Sequence, residues 1–531
     1  MYVRVTQIKV PIAHTKQEVL REAVRIAGAA HGDVLSAQIE RRSLDARRKD
    51  RIHYTCNCLL EMRDGARFKR SSRACVCRPV SFNPRLLKSS PPDKRIAVIG
   101  TGPAGLFAGY LLALNGCRPV LYERGRPVRE RTEDVKRFFE TGALDPESNV
   151  QFGEGGAGTF SDGKLATMVK DKQGRGPFVL ETFVRFGAPD DILYEAKPHI
   201  GTDILIDVVE NMRREIIRLG GEFHFSACVE DFLIADGRLI GLRINEKGKM
   251  ITAAADAVIL APGHSARDTF QMLYNRQVPL CEKPFAVGFR IEHPQRMINV
   301  SQYGETHAGL LPPAFYKLTY KAAGGRGVYS FCMCPGGYVV NASSEEGHLA
   351  VNGMSRHARD AQNANSALVI TLTPEDFGGE PLDPLRGMAY QGELERRAFA
   401  LANGRIPQQL YADFKAGRCS LAYGAYSSCL CGSSAFANLR SLLPEELNTA
   451  LIEAMEDFGR KITGFDREDA ILSGIESRTS SPVRILRNDA CESGIAGLYP
   501  CGEGAGYAGG ITSAAMDGLK CAQAVLRSLY S

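Results

Sequence analysis

An α/β fold is predicted, built on a parallel sheet whose strands come from two distant parts of the chain. A large α+β insertion separates those parts, and a small α+β module precedes them. Three observations predict this. An apolar strand runs into a glycine-spaced turn and a helix at residues 95–125. A second strand, glycine-rich loop and helix occur at residues 497–529. The charge balance breaks near residue 90: residues 1–90 hold 19 Lys+Arg against 8 Asp+Glu, and the remainder 47 against 52.

The 531 residues exceed what one core organises, so roughly two to four domains are expected. A hydrophobic content of 44% is that of an ordinary globular protein. There is no run of 18 apolar residues, and "MYVRVTQIKV" is not a signal peptide. A cytoplasmic protein with no membrane partner is expected. The 15 cysteines are odd in number and scattered, unlike a disulfide framework. Cys56/Cys58 and Cys75/Cys77 are C-x-C pairs, whereas structural zinc usually takes C-x2-C. No metal is expected.

Residues 1–90 form the first expected unit, a basic module. "YVRVTQIKV" alternates as a strand does, Lys16–Ala27 carries apolar positions at helical spacing, and "VLSAQIERRSL" and "RIHYTCNCLLEM" read as further strands. One helix with three strands suggests a ferredoxin-like arrangement. Asn83–Lys94, with two prolines and two serines, reads as a linker.

Residues 91–269 open the second unit. "IAVIG" is a continuous apolar strand of the buried parallel type. It leads into G-x-G-x-x-G at Gly100, Gly102 and Gly105, a helix from about Pro103 and Ala104 to Asn115, and the strand "RPVLYE" ending in Glu123 and Arg124. Gly100 permits the tight turn, Gly102 lets backbone approach a pyrophosphate, and Gly105 lets helix and strand pack closely. The helix N-terminus offers free N–H groups to phosphate. Glu123 is placed to accept from a ribose hydroxyl. The fingerprint indicates a dinucleotide, without separating FAD from NAD. Thr202 is a candidate cap for a helix to about Leu219, and Ala235-Asp236-Gly237 a hairpin turn. Residues 270–485 form the insertion, and residues 486–531 return to the nucleotide-binding unit.

"DAVILAPGHSAR" is a strand running into the turn Ala261-Pro262-Gly263, and "GLYPCGEGAGYAGGITSAAMDG" a strand, a loop with Gly502-Glu503, and a helix from Ile511. Together with the fingerprint, these resemble the glutathione-reductase-like class of FAD-dependent oxidoreductases. "FGEGGAGTFSDGKL", "GFRIEHPQ", "SFCMCPGG" and "NGMSRHARDAQNANSA" extend the likeness to a large family of FAD-dependent dehydrogenases, over nearly the whole chain. The resemblance implies a Rossmann-like FAD domain, a backbone contact to adenine near Val229, and Gly502-Glu503 at the ribityl-phosphate. It implies that residues 151–165 pass across FAD, with Gly155, Gly156 and Gly158 allowing close approach and Thr159, Ser161 and Lys164 supplying donors. It brings no substrate.

There is no C-x4-C on the fingerprint helix and no second strand–G-x-G-x-x-G–helix unit. NAD(P)H, if it is the electron donor, docks transiently. The helix start after Gly509-Gly510 is placed to stabilise negative charge on a reduced flavin. Arg290, Glu292 and His293 are candidates for anion binding or proton transfer; a strand-end salt bridge and a surface histidine account for them equally. Arg478 is a candidate for a substrate carboxylate or a structural pair. Cys332 and Cys334, on one face of a strand, are either core packing or a strained, reducible pair beside the cofactor.

The function expected is an FAD-binding oxidoreductase with non-covalent FAD and a small-molecule substrate. Two rivals stand beside it. One is a flavin-dependent RNA-modifying enzyme using the basic stretches Arg41–Arg51 and Arg67–Arg73. The other is a non-catalytic flavin-binding protein.

Overall fold

The computed structural model describes residues 1–87, 93–380 and 383–530. The linker read at Asn83–Lys94 lies partly outside the described residues.

Four strands, Tyr2–Val10, Val34–Asp45, His53–Met62 and Ala74–Cys77, form the first sheet, in spatial order second, third, first, fourth. Every pairing is antiparallel. The fourth strand, absent from the sequence reading, has four residues and is too short for alternation to reveal. The helix Lys16–Ala27 starts at a capping box of Thr15 and Glu18 and ends at Gly28, φ 58°. Its stripe of Val19, Ala23 and Ala27 packs on Val3, Val5 and Ile8. Cys56 and Cys58 are buried in that core, while Cys75 is exposed. The module is tied to the rest of the chain at Arg42. Its N–H donates to the Tyr194 carbonyl at 2.6 Å, and its guanidinium pairs with Glu195.

The second sheet is wholly parallel. Leu498–Pro500, Ala257–Leu260, Ile96–Ile99, Val120–Glu123 and Glu222–Phe225 neighbour one another in that order. Ile96–Ile99 and Ala257–Leu260 are buried at every position because both faces are covered. Ile96 and Val98 pack under the helices Pro103–Leu114 and Ile511–Tyr530. Ala97 and Ile99 pack against an antiparallel sheet of Ala227–Ala235, Arg238–Glu246 and Lys249–Ala254. Its first hairpin turns through Asp236 and Gly237, φ 49° and 71°, the positive pair of a type I′ turn.

Residues 285–476 build a seven-stranded mixed sheet. Phe285–Pro294 lies near its middle, between Asn363–Leu372 and Ile471–Glu476. Phe270 and Leu273, on the helix Arg267–Asn275, pack instead with Ala97 and Tyr122 on the parallel sheet. A buried ion cluster joins the two bodies. Glu395 receives Arg267 at 2.9 Å and Arg478 at 2.8 Å, and Arg267 also reaches Glu345 at 2.9 Å. Among the described residues, no helix is long and apolar enough to cross a membrane.

Candidate functional site

The fingerprint turn is held by backbone that no larger residue would permit. Gly100 has φ 88°, and a β-carbon on it would stand 2.2 Å from the Ala261 carbonyl oxygen. A β-carbon on Gly105 would stand 1.9 Å from the carbonyl oxygen of Gly100. Gly105 therefore sets how close the helix lies to the turn and does not itself line a cleft. Gly102, by contrast, opens toward Gly156.

Residues 151–165 are secured from behind. Arg131, on the helix Val128–Thr141, is fully buried. It donates to the carbonyls of Asn149 (2.9 Å), Val150 (3.0 Å), Gly153 (3.2 Å), Glu154 (2.7 Å) and Gly156 (3.0 Å). Burial lowers its pKa to about 10, so it stays charged at neutral pH. Glu123 fastens the same segment from the sheet. One carboxylate oxygen accepts the N–H (2.9 Å) and hydroxyl (2.8 Å) of Thr101; the other accepts the N–H groups of Gly125 and Gly153, each at 3.0 Å. The acid expected at a ribose thus already binds four protein donors, although it still borders the cleft. Thr202 does not cap its helix. Gly201 precedes the helix Thr202–Arg218, and the Thr202 hydroxyl donates to the Ser161 carbonyl at 2.9 Å. The helix is thereby tied to the glycine-rich segment.

A cleft of about 400 Å³ runs between these parts. Gly100, Gly102, Pro103, Ala104, Glu123 and Arg124 line one stretch of it, and Val229, Ala261, Pro262 and Gly263 another. Gly156, Gly158, Ser161 and Lys164 border it from the glycine-rich segment. Gly502, Glu503, Gly509, Gly510 and Ile511 close it from the C-terminal part. Two helix N-termini, at Pro103 and Ile511, open into this one space, each with unpaired first-turn N–H groups. A β-carbon at Gly509 or Gly510 would meet nothing within 4 Å. Arg124 is held by Asp268 (2.6 Å) and Glu147 (2.8 Å) and lies over the Phe152 ring.

Not every candidate faces the cleft. Gly155 and Thr159 turn away from it: the Gly155 N–H donates to the Thr101 carbonyl, and Thr159 borders a small apolar space with Leu106, Phe107 and Phe183. The Thr159 hydroxyl is therefore no donor to a bound group. His293 is fully buried on the far side of its strand, with Nε2 2.7 Å from the Phe465 carbonyl, and burial lowers its pKa to about 4. It is neither a surface residue nor a proton carrier for the cleft. Glu292 is buried beside it and accepts from Ser428, Asn363 and the Cys429 N–H. Arg290 is also fully buried, 3.3 Å from Glu476. Arg478 does line the cleft, but Glu395 and Ser344 occupy its guanidinium.

Cys332 and Cys334 do not share one face of a regular strand. A bulge separates Phe331 from Cys334, and Cys332 has φ 45°. Cys332 is brought to the cleft wall; Cys334 lies fully buried behind it. Cys334 Sγ is 3.5 Å from Arg290 and 3.9 Å from Lys164. The Cys332 thiol, Lys164 and Arg290 together hold its pKa below that of an ordinary thiol, against burial. Cys332 is pushed well up by its neighbour Cys334 and by burial.

The cleft also holds His264, Asp162 and Glu476, which the sequence reading passed over. His264 directly follows the Ala261-Pro262-Gly263 turn, so extending that motif by one residue finds it. Burial and the nearby Arg478 lower its pKa to about 4. Asp162 is gripped by Arg359 and Ser355 and sits 3.1 Å from Lys164. Burial raises Glu476 to about 7 against the pull of Arg290, and raises Glu503 to about 7 against that of Lys283.

A Clostridium beijerinckii protein, described as uncharacterised, is 46% identical over 541 residues, covering 99% of each chain. The chain belongs to the same family. Residues 284–479, which hold the seven-stranded sheet, match the family described as "FAD-dependent protein, C-terminal domain-like". Residues 2–60 match a domain of unknown function. Among solved structures, a geranylgeranyl bacteriochlorophyll reductase-like protein from Thermoplasma acidophilum is 11% identical, with a TM-score of 0.37, over 83% of this chain and 81% of that one. Glycerol-3-phosphate dehydrogenase from Bacillus halodurans, complexed with FAD, is 12% identical at the same TM-score, over 83% and 66%. At these scores neither likeness bears on function. FAD is the cofactor that the family match supports.

Proposed function

We propose that this family member is an oxidoreductase that holds FAD non-covalently in the cleft and acts on a small-molecule substrate from the side of the seven-stranded sheet. One observation carries the reading: two helix N-termini and the arginine-pinned glycine-rich segment converge on one glycine-walled space. Helix N-termini suit the pyrophosphate and the electron-rich edge of a reduced flavin. When bound, FAD supplies the electron-transfer chemistry. The chain's own part is to bind, orient and tune. The Pro103 helix offers N–H groups to phosphate, the Ile511 helix offers positive potential, and Lys164 offers an ammonium at the wall.

Among the described residues there is a single wholly parallel sheet. NAD(P)H, as donor, therefore docks transiently in this reading. The basic module is assigned an accessory role, since Arg4, Arg42 and Arg47 are paired with Glu40, Glu195 and Asp45. The test is the visible spectrum of the purified protein, with mass analysis of what acid releases. A flavin spectrum and intact FAD are expected. Colourless protein that takes up no FAD on reconstitution overturns the reading, and bound FAD that no reductant bleaches leaves a flavin-binding protein without redox work.

A further inference from the structure

At one wall of the cleft, and just behind it, stand four groups that simple packing does not require. Cys332 stands at the wall on a backbone with φ 45°, a conformation rare for a side chain larger than glycine. Cys334, two residues on, lies behind it, with its Sγ 3.3 Å from the Cys332 carbonyl oxygen. Arg290 and Lys164 approach Cys334 Sγ from two sides, at 3.5 and 3.9 Å. Two buried cysteines in apolar surroundings would stay neutral thiols, because burial disfavours the charged form. Here two cations instead favour a thiolate, which is the reactive form.

The pair also lies toward one particular end of the cleft. Lys164 is followed by Leu165, whose carbonyl accepts from Thr512 at 2.7 Å. Thr512 is the second residue of the helix that begins at Ile511. The dithiol is thus linked, through three residues, to the helix N-terminus assigned above to the flavin. Cys332 and Lys164 border the same space as Gly510 and Ile511.

We infer that Cys332 and Cys334 form a redox couple that exchanges an electron pair with the flavin bound in this cleft, an inference that rests on the FAD reading above. In the oxidising direction, the Cys334 thiolate and the Cys332 thiol close into a disulfide. An S–S bond forms and the Cys332 S–H bond breaks. Two electrons and that one proton pass to the oxidised flavin, so one negative charge stands on each side of the step. In the reverse direction the reduced flavin opens the disulfide and returns Cys334 as thiolate, its charge held by Arg290 and Lys164. The bulge and the positive φ of Cys332 take the pair out of regular strand geometry. Regular strand geometry would leave their side chains parallel. Burial of Cys334 keeps outside thiols from its sulfur and leaves Cys332 as the entry point.

The experiment uses the full chain carrying FAD. Diamide oxidation, alkylation of the remaining thiols and peptide mass analysis should show a disulfide within the peptide containing Cys332 and Cys334. Anaerobic photoreduction of the bound flavin should then free both thiols. In protein stripped of FAD, the same illumination should leave the disulfide intact. Reductive titration of the oxidised protein should consume two electron pairs per chain. Cys332→Ser and Cys334→Ser should each consume one, with the bound-flavin spectrum kept. A pair that stays as two thiols after diamide, or a disulfide that survives photoreduction of the bound flavin, overturns the inference alone. Protein that holds no FAD overturns the functional reading and this inference with it.

Discussion

Arg131 Nη1 donates to the Gly156 carbonyl at 3.0 Å, reaching the glycine-rich segment from the side away from the cleft. The same guanidinium serves four further carbonyls of residues 149–154. Ordering a run this rich in glycine costs more backbone conformational entropy than ordering an average sequence of its length. One buried cation offsets that cost by satisfying five acceptors. Arg131→Met leaves those carbonyls without their donor, so a loss of at least about 3 kcal/mol in stability is expected, by denaturant unfolding. FAD content should fall with it. Arg131→Lys should lie between, because an ammonium reaches fewer carbonyls. A Met variant with wild-type stability and FAD content would mean that the segment orders itself.

Glu123→Ala should act twice. It removes the acid that borders the cleft and loosens the fingerprint turn and the glycine-rich segment it fastens, so FAD retention should weaken. It also strips four donors of their acceptor, so the cofactor-free protein should melt at a lower temperature than wild type. A drop in affinity with no change in melting of the stripped protein would contradict the fastening role.

Gly105→Ala introduces a β-carbon 1.9 Å from a backbone oxygen. Backbone cannot swing aside as a side chain does. Overpacking of this kind costs about 1–3 kcal/mol or more, and the displaced helix should lose phosphate affinity. Gly142→Ala meets nothing within 4 Å but has φ 77°, so it should cost only the backbone term. Differential scanning calorimetry of the two variants separates contact from conformation.

The pH dependence of stability isolates Glu503. Burial raises its folded-state pKa to about 7, against an ordinary value of 4.5. The folded protein therefore binds the proton more tightly than the unfolded chain does. The resulting stability is fully present below about pH 4.5 and is lost as pH rises through 7. Glu503→Gln cannot ionise. The variant should match wild type near pH 4.5 and exceed it by on the order of 3 kcal/mol well above pH 7, in FAD-stripped protein. An unfolding free-energy difference that is flat with pH would show that Glu503 ionises freely.

Arg42→Ala should loosen the basic module without emptying the cleft. It removes a half-buried pair with Glu195, while the backbone bonds to Tyr194 and Ala196 stay. Faster proteolytic cleavage around residues 46–51 with unchanged FAD content is expected. Loss of FAD instead would place the module in cofactor binding.

The strongest sequence signals were those with one local cause. The strand–turn–helix at residues 96–114 is legible because an apolar run, three spaced glycines and a proline all act within twenty residues. The hairpin at Asp236-Gly237 is legible for the same reason. What stayed hidden depends on partners far along the chain. Arg131 sits among charged residues in "VRERTEDVKR", in which nothing marks it as buried beneath a loop that folds back over it. His293 looks like a strand-end histidine until the Phe465 carbonyl is seen to accept from its ring nitrogen. Thr202 has the chemistry of a cap, but the Ser161 carbonyl competes for its hydroxyl. The bulge that turns Cys332 to the cleft leaves no mark on a period-two pattern.

The order of the parallel sheet has a consequence for synthesis on the ribosome. Ala257–Leu260 has Leu498–Pro500 as its outer neighbour, with the whole seven-stranded sheet translated between them. When Ile96–Ile99 and its helix emerge, the face that Ile511–Tyr530 will cover has no partner. Contacts of such long sequence separation form late and slowly. The cofactor cleft lacks one of its two helix ends until residue 511 has left the exit tunnel, so loading must follow translation of the insertion. A chain stalled within residues 285–476 should expose the side of the Pro103–Leu114 helix, around Ala104, against which Gly518 of the C-terminal helix packs, and be the species that chaperones hold.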